Sequence, residues 1–246
     1  FMKGCSLSCR WCQNPESRSR SLDLLYDERL CTQGCQRCTQ HSSCFKRKDS
    51  TSAVTILRYG LTENEMRLVA DACPSGAISL CGDEMNSEQI MAQVRRDIAF
   101  YQRSGGGLTL SGGEPFMQPK LAQQLLNTAH QEGIHTAVES CLHVPWHYIE
   151  PSLEFVDLWL VDLKHTDADK FLQWTDGQLP LIQHNIEKLG KSGANILFRV
   201  PIITDFNDDE ITLNAIIQQA VTHYQRFDGS GEIHFLPYHT YGMHKY

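Results

Sequence analysis

From about residue 86 the chain alternates between short apolar runs and segments whose apolar residues recur at helical spacing. "NSEQIMAQVRRDIAFYQRS" sets Ile90, Val94, Ile98 and Tyr101 on one stripe behind an Asn86 or Ser87 cap, which predicts a helix. "GGGLTLSGGEP" holds a short strand, followed by the helix "PKLAQQLLNTAHQEG", which Gly133 stops, and the strand "IHTAVES". "VPWHYIEPSL" reads as helical in part, and "FVDLWLVDLK" as a strand. The helix "LIQHNIEKLGKSG", the strand "NILFRVP", the helix "DDEITLNAIIQQAVTHY" and the strand "EIHFLPY" complete the series.

Five strands thus alternate with helices, and Phe1–Gly4 reads as the tail of a sixth. Runs rich in Val, Ile and Leu with little polar alternation are expected to be buried on both faces, as in a parallel sheet. The fold class is therefore α/β. Six βα units fall short of a closed eight-fold barrel, so a partial (β/α)6 TIM-like barrel is expected, with its chemistry at the C-terminal strand ends. Those ends carry Cys5–Cys12, Ser111–Glu114, Glu139–Ser140, Asp162–Lys164, Arg199 and Pro237–His239. One shared pocket accounts for so much polar, Gly-rich and thiol chemistry.

Residues 13–85 break this rhythm. The expected division is a core of residues 1–12 and 86–246 with a small cysteine-rich insert, 13–85, organised by metal rather than by an apolar core. Nine of the ten cysteines lie in the first 81 residues, a clustering that points to metal ligation in a reducing, cytoplasmic compartment rather than to disulfides. A net charge of −7 with scattered basic residues argues against nucleic acid as a partner. No apolar run is long enough to span a bilayer, so no membrane role is expected. The start at Phe1 and the finish in "PYHTYGMHKY" suggest a chain cut at both ends.

Cys5, Cys9 and Cys12 form C-x3-C-x2-C, a spacing open to zinc, to a structural role, or to an iron–sulfur cluster with one iron left for an exogenous ligand. "SGGEP" is open to a tight strand-to-helix turn or to close approach of backbone to a ligand. Together with "VDLK", these motifs resemble the radical S-adenosylmethionine (radical SAM) superfamily. "SGGGLTLSGGEP", "GIHTAVES", "VDLKH" and "LPYHTYGMHKY" are similar, more narrowly, to the activating enzymes of glycyl-radical enzymes, the group that includes the pyruvate formate-lyase activating enzyme.

The resemblance implies that Cys5, Cys9 and Cys12 hold a [4Fe–4S] cluster whose fourth iron is chelated by SAM. Trp11, Cys12 and Gln13 would edge the adenine, and Gly112, Gly113 and Glu114 would receive the methionine amino group, the carboxylate of Glu114 by a charge-assisted bond. In the Asp162–Leu163–Lys164 motif, Lys164 would pair with the methionine carboxylate while Asp162 helps a monovalent cation. Glu139 and Ser140 stand where the family commonly has Asp-Thr beside that cation, His239 would meet the ribose, and Arg199 either points toward the site with an unassigned task or forms a surface salt bridge.

In the insert Cys31, Cys35 and Cys38 repeat the C-x3-C-x2-C spacing, and Cys73 sits in Cys-Pro, as ferredoxin-type ligands do. They imply a second [4Fe–4S] cluster, with Cys44 or Cys81 as substitutes, or else a zinc site that could recruit His41. Cys141 is expected to be an ordinary buried thiol.

The activity implied is reductive cleavage of SAM to methionine and a 5′-deoxyadenosyl radical, which takes a hydrogen atom from a backbone glycine of a partner. The partner would be a glycyl-radical enzyme of the pyruvate formate-lyase type, and a flavodoxin or ferredoxin the electron donor. Two other readings are a radical SAM maturase acting on Cys or Ser of a peptide, and a non-enzymatic iron–sulfur or zinc protein for electron transfer or interaction. Because residues ahead of the first cysteine grip the target glycine in the family, the 246-residue chain is expected to bind SAM better than it activates a partner.

Overall fold

A computed structural model describes residues 1–49, 52–229, 231–240 and 242. The chain separates into two compact units: Gln13–Glu84, joined by Gly242, and Phe1–Cys12 together with Met85–Thr240.

The Gln13–Glu84 unit is built from two small antiparallel pairs and two helices. β1 (Asp23–Tyr26) pairs with β4 (Ile78–Cys81), and β2 (Phe45–Arg47) with β3 (Val54–Ile56). Between them lie the short α1 (Arg37–His41) and α2 (Glu63–Ala72). α2 starts at a capping box in which the Thr62 hydroxyl accepts from Glu65 N and the Glu65 carboxylate accepts from Thr62 N at 3.0 Å. Leu24, Cys38, Phe45, Val54, Val69 and Ile78 close into an apolar cluster. The insert therefore has a core of its own, contrary to expectation. Strands of three or four residues are too short to display a period, so their part in a core was not there to read.

The second unit holds a five-stranded parallel sheet in sequential order. Its strands are β5 (Gly107–Leu110), β6 (His135–Ser140), β7 (Leu158–Asp162), β8 (Ile196–Ile202) and β9 (Ile233–Pro237). Phe1–Gly4 joins the β5 side through one parallel bridge, Met2 to Gly112, in which Met2 N donates to Ser111 O and Gly113 N to Met2 O. Gly4, at φ +104°, turns the chain out of extended backbone before a full strand can form. Gly112 is demanded by the same crossing: a Cβ there would lie 2.2 Å from the Met2 carbonyl oxygen.

The helices of this unit are α3 (Ser87–Val94), α4 (Ile98–Ser104), α5 (Pro119–Gln131), α6 (Trp146–Ile149), α7 (Ala168–Thr175), α8 (Leu179–Lys191) and α9 (Glu210–Phe227). The single helix expected after Asn86 is divided by a tighter turn at Arg95–Asp97, where Arg95 bridges Glu88 and Glu132. α7 was not anticipated; its start is marked by Asp167, which accepts from Lys170 N at 2.7 Å.

The sheet is not buried equally on its two faces. On β7 and β8 the side chains Trp159, Val161, Ile196, Phe198 and Val200 are buried, while Leu160, Asp162, Leu197 and Arg199 between them are only half-buried. Asp162 is in register with Arg199, and Glu139 with Leu160, so the polar ends of β6, β7 and β8 share the more open face. The result is the α/β partial barrel, with one dense wall and one accessible wall.

Candidate active site

The Cys5–Cys12 loop is fastened along its length. Ser6 Oγ donates to the His143 carbonyl at 2.5 Å, Ser8 N to Thr175 O at 2.7 Å, and Arg10 N to Trp174 O at 3.1 Å. Leu7 is buried against Gly177, where a Cβ would come within 2.2 Å of its side chain. The unanticipated α7 thus supplies the floor on which the loop rests.

Under this loop lies a buried cation. Lys164 Nζ is 2.5 Å from Asp162 Oδ2, with Lys164 only 8% exposed. Burial opposes its charge, but Asp162 and the neighbouring sulfurs of Cys9 and Cys141 outweigh that and hold the ammonium protonated above the usual lysine range. Asn207 fixes the Lys164 backbone, donating to its carbonyl at 2.9 Å and to Pro201 O at 2.8 Å. Leu163 is buried between the pair, its N–H on Arg199 O.

The thiols respond unequally. Cys5 is lowered to about 7, chiefly by its side-chain contact with Cys141 working against burial. Cys9 is pushed up to about 11 by burial, although Lys164 pulls the other way. Cys141 is raised by its bond to Cys5 and by complete burial. Cys141 is therefore more than a filler thiol: it links Cys5 to Glu114, donating from Sγ to Oε2 at 3.1 Å. Its position directly after Glu139–Ser140 at a strand end was the available signal.

Glu114 is held by its own chain. Its side chain is fully buried, and it accepts from Ser140 Oγ at 2.8 Å, Cys141 N at 2.9 Å and Phe116 N at 3.1 Å. Burial raises its pKa despite those bonds. The carboxylate ties the Gly112–Gly113 turn to the end of β6. Ser140 is 2% exposed and donates to Glu114.

Glu139 forms an ion pair with Arg199 and accepts from Ser111 Oγ. Arg199 thereby gains a definite task, and a monovalent cation at Glu139 would have to compete with a guanidinium. Trp11 lies 4.7 Å from Phe206 and 6.4 Å from Trp174, between ring centroids, and His165 packs against Phe206 in a tilted contact. Gln13 belongs to the other unit, where its Oε1 accepts from Gly242 N. His239 is exposed, and most of the "YGMHKY" ending lies outside the described residues.

In the insert a small pocket is lined by Cys31, Cys35, Cys38 and Cys73, with Arg47 among its other walls. Cys44, Cys81 and His41 do not line it. Cys73 closes α2, and its sulfur accepts from Ile78 N at 3.4 Å. Among the described residues no three His, Cys, Asp or Glu side chains form a group that could hold a metal ion. Thiolates around one zinc stand about 3.8 Å apart, whereas irons and sulfides fill the middle of a four-iron cluster. Cys31, Cys35, Cys38 and Cys73 lining one pocket, and Cys5, Cys9 and Cys12 on one loop near a buried lysine, are thiol sets of the kind that four-iron clusters take.

Residues 1–213 match the Radical SAM superfamily. Over the whole chain the sequence is 36% identical to the choline trimethylamine-lyase activating enzyme of Oleidesulfovibrio alaskensis and 37% identical to the isethionate sulfite-lyase activating enzyme of the same organism, covering 79% of each. A solved domain of a pyruvate-formate lyase-activating enzyme from Bacteroides vulgatus superposes with a TM-score of 0.48 at 30% identity, over 55% of this chain and 81% of that one. The chain belongs to the radical SAM superfamily and, within it, to the activating enzymes of glycyl-radical enzymes.

Proposed function

We propose that the chain activates a partner glycyl-radical enzyme at the open face of its sheet, with SAM bound between the Cys5–Cys12 loop and Lys164. The observation that carries this is the Cys5–Cys9–Cys12 loop set over a buried, protonated Lys164 at the strand ends. The three thiols would hold a [4Fe–4S] cluster, and that cluster supplies the electron that breaks the sulfonium–C5′ bond of SAM. The chain's own residues do the rest. Lys164 offers the methionine carboxylate a dry cation, and Gly112–Gly113 form a turn narrow enough to border the amino acid end. Trp11, with Phe206 behind it, gives adenine an aromatic wall. Arg199, Glu139 and Ser111 keep the neighbouring strand ends in register and polar.

The four insert cysteines would hold a second [4Fe–4S] cluster that passes electrons from a flavodoxin or ferredoxin. The partner is proposed to be of the pyruvate formate-lyase type, presenting a glycine loop. The two relatives are named for different lyases at nearly equal identity, so the similarity itself does not choose the partner. No helix among the described residues is long and apolar enough to cross a membrane. Thiols kept for clusters suit the reducing cytoplasm.

The test is anaerobic reconstitution with iron and sulfide, then SAM and dithionite. A protein that releases 5′-deoxyadenosine, and leaves a glycyl EPR doublet on an added partner, supports the proposal. A colourless protein that leaves SAM intact overturns it.

A further inference from the structure

Arg47 ends β2 and reaches into the insert pocket. Its Nη2 donates to Cys31 Sγ at 3.0 Å. Its Nε is buried and has no hydrogen-bond partner among the described residues. A buried guanidinium N–H without an acceptor is costly, and it points to an acceptor the protein chain does not supply. Arg47 lines the same pocket as Cys31, Cys35, Cys38 and Cys73. An anionic cluster with bridging sulfides offers acceptors of the right charge there.

We propose that Arg47 is a positioning residue that sets the reduction potential of the insert cluster, making it the easier to reduce. The inference rests on the reading that the four insert cysteines hold a cluster. Taking up one electron adds negative charge to the cluster. A fixed guanidinium that hydrogen-bonds a ligand sulfur favours the reduced form over the oxidised one, because both its charge and its N–H groups bind the more anionic state better. Lysine would keep the charge but lose the planar fork that serves Cys31 and a second acceptor together. Hydrogen bonding to Cys31 distinguishes this pocket from a merely cysteine-lined one.

The experiment is an EPR-monitored redox titration of the reconstituted full chain carrying Cys5→Ala, which removes the first cluster's signal, alone and combined with R47Q or R47K. With R47Q, the ratio of reduced to oxidised insert cluster at a fixed potential is expected to fall about tenfold, a downward shift of about 59 mV for a one-electron couple. R47K is expected to fall by a smaller factor. An R47Q or R47K potential equal to that of the Cys5→Ala parent overturns the inference while leaving the insert cluster in place. Absence of any cluster in the Cys5→Ala parent overturns the underlying reading instead. Should R47Q fail to retain iron, R47K alone decides.

Discussion

Two stretches of this chain carry the same C-x3-C-x2-C spacing and build different surroundings for it. Cys5–Cys12 is laced by long-range hydrogen bonds to His143, Trp174 and Thr175, and has a buried lysine beneath it. Cys31–Cys38 is joined by a fourth thiol, Cys73, and by an arginine that bonds a sulfur directly. The spacing specifies how three sulfurs are delivered; the fourth neighbour decides what the site can do. On the function proposed above, a site completed by a fourth cysteine would be closed to ligand and suited to electron transfer, whereas one beside Lys164 would keep a position for a carboxylate-bearing ligand.

The sharpest way to break the comparison is a reciprocal pair of variants. Cys5→Ala should abolish 5′-deoxyadenosine formation while keeping roughly half of the iron and sulfide, on the expectation of two four-iron clusters. Cys31→Ala should lose the other half and still cleave SAM with dithionite. If both variants lose all SAM cleavage in that assay, the two sites are not divided as described.

Next in size is the insert's own core. Phe45→Ala should destabilise the insert by about 3–5 kcal/mol, since Phe45 is 2% exposed in the centre of its cluster. Hydrogen exchange of the β1–β4 ladder in metal-free protein would read this. Equal exchange in variant and parent would mean that metal, not the apolar cluster, organises the unit.

Lys164→Met sharpens the other side. It removes the buried cation, leaves Asp162 without its partner, and should weaken SAM binding to the reconstituted protein at least about tenfold, or about 1.4 kcal/mol. Equilibrium dialysis with labelled SAM checks it, and unchanged binding would remove Lys164 from the ligand's path.

The smallest effect concerns Glu114. Its folded pKa lies above the unfolded value of about 4.5, so the native state holds its proton more firmly than the unfolded chain. The stability this proton provides is present at low pH and declines as pH rises above about 4.5 toward the folded value. The slope from one such group cannot exceed about 1.4 kcal/mol per pH unit. Glu114→Gln should lack that component, seen as a difference between urea-unfolding curves of variant and parent across pH. Parallel curves would show that the carboxylate does not change protonation on folding.

The strands, most of the helices and the clustering of chemistry at strand ends were all legible, because each depends on period and spacing over a few neighbouring residues. α7 was missed, and with it the support of the first cysteine loop, since Ala168–Thr175 is short and carries only two buried side chains. The partners of Glu114 were not legible for a related reason. "SGGEP" states that a carboxylate follows two glycines, but whether it turns outward or inward depends on Ser140 and Cys141, twenty-six and twenty-seven residues away.

By itself the amino-acid order determined the alternation of strand and helix, the parallel class of the sheet, and the sets of cysteines that could act together. These follow from backbone geometry and local periodicity. Only the tertiary structure decided the partners: Arg199 with Glu139, Glu114 with Ser140, Arg47 with Cys31, and Lys164 with Asp162 beneath the thiol loop. Charges and hydrogen-bonding groups bind whatever lies within a few ångströms, and in a parallel sheet the side chains brought that close are set by strand register across long loops.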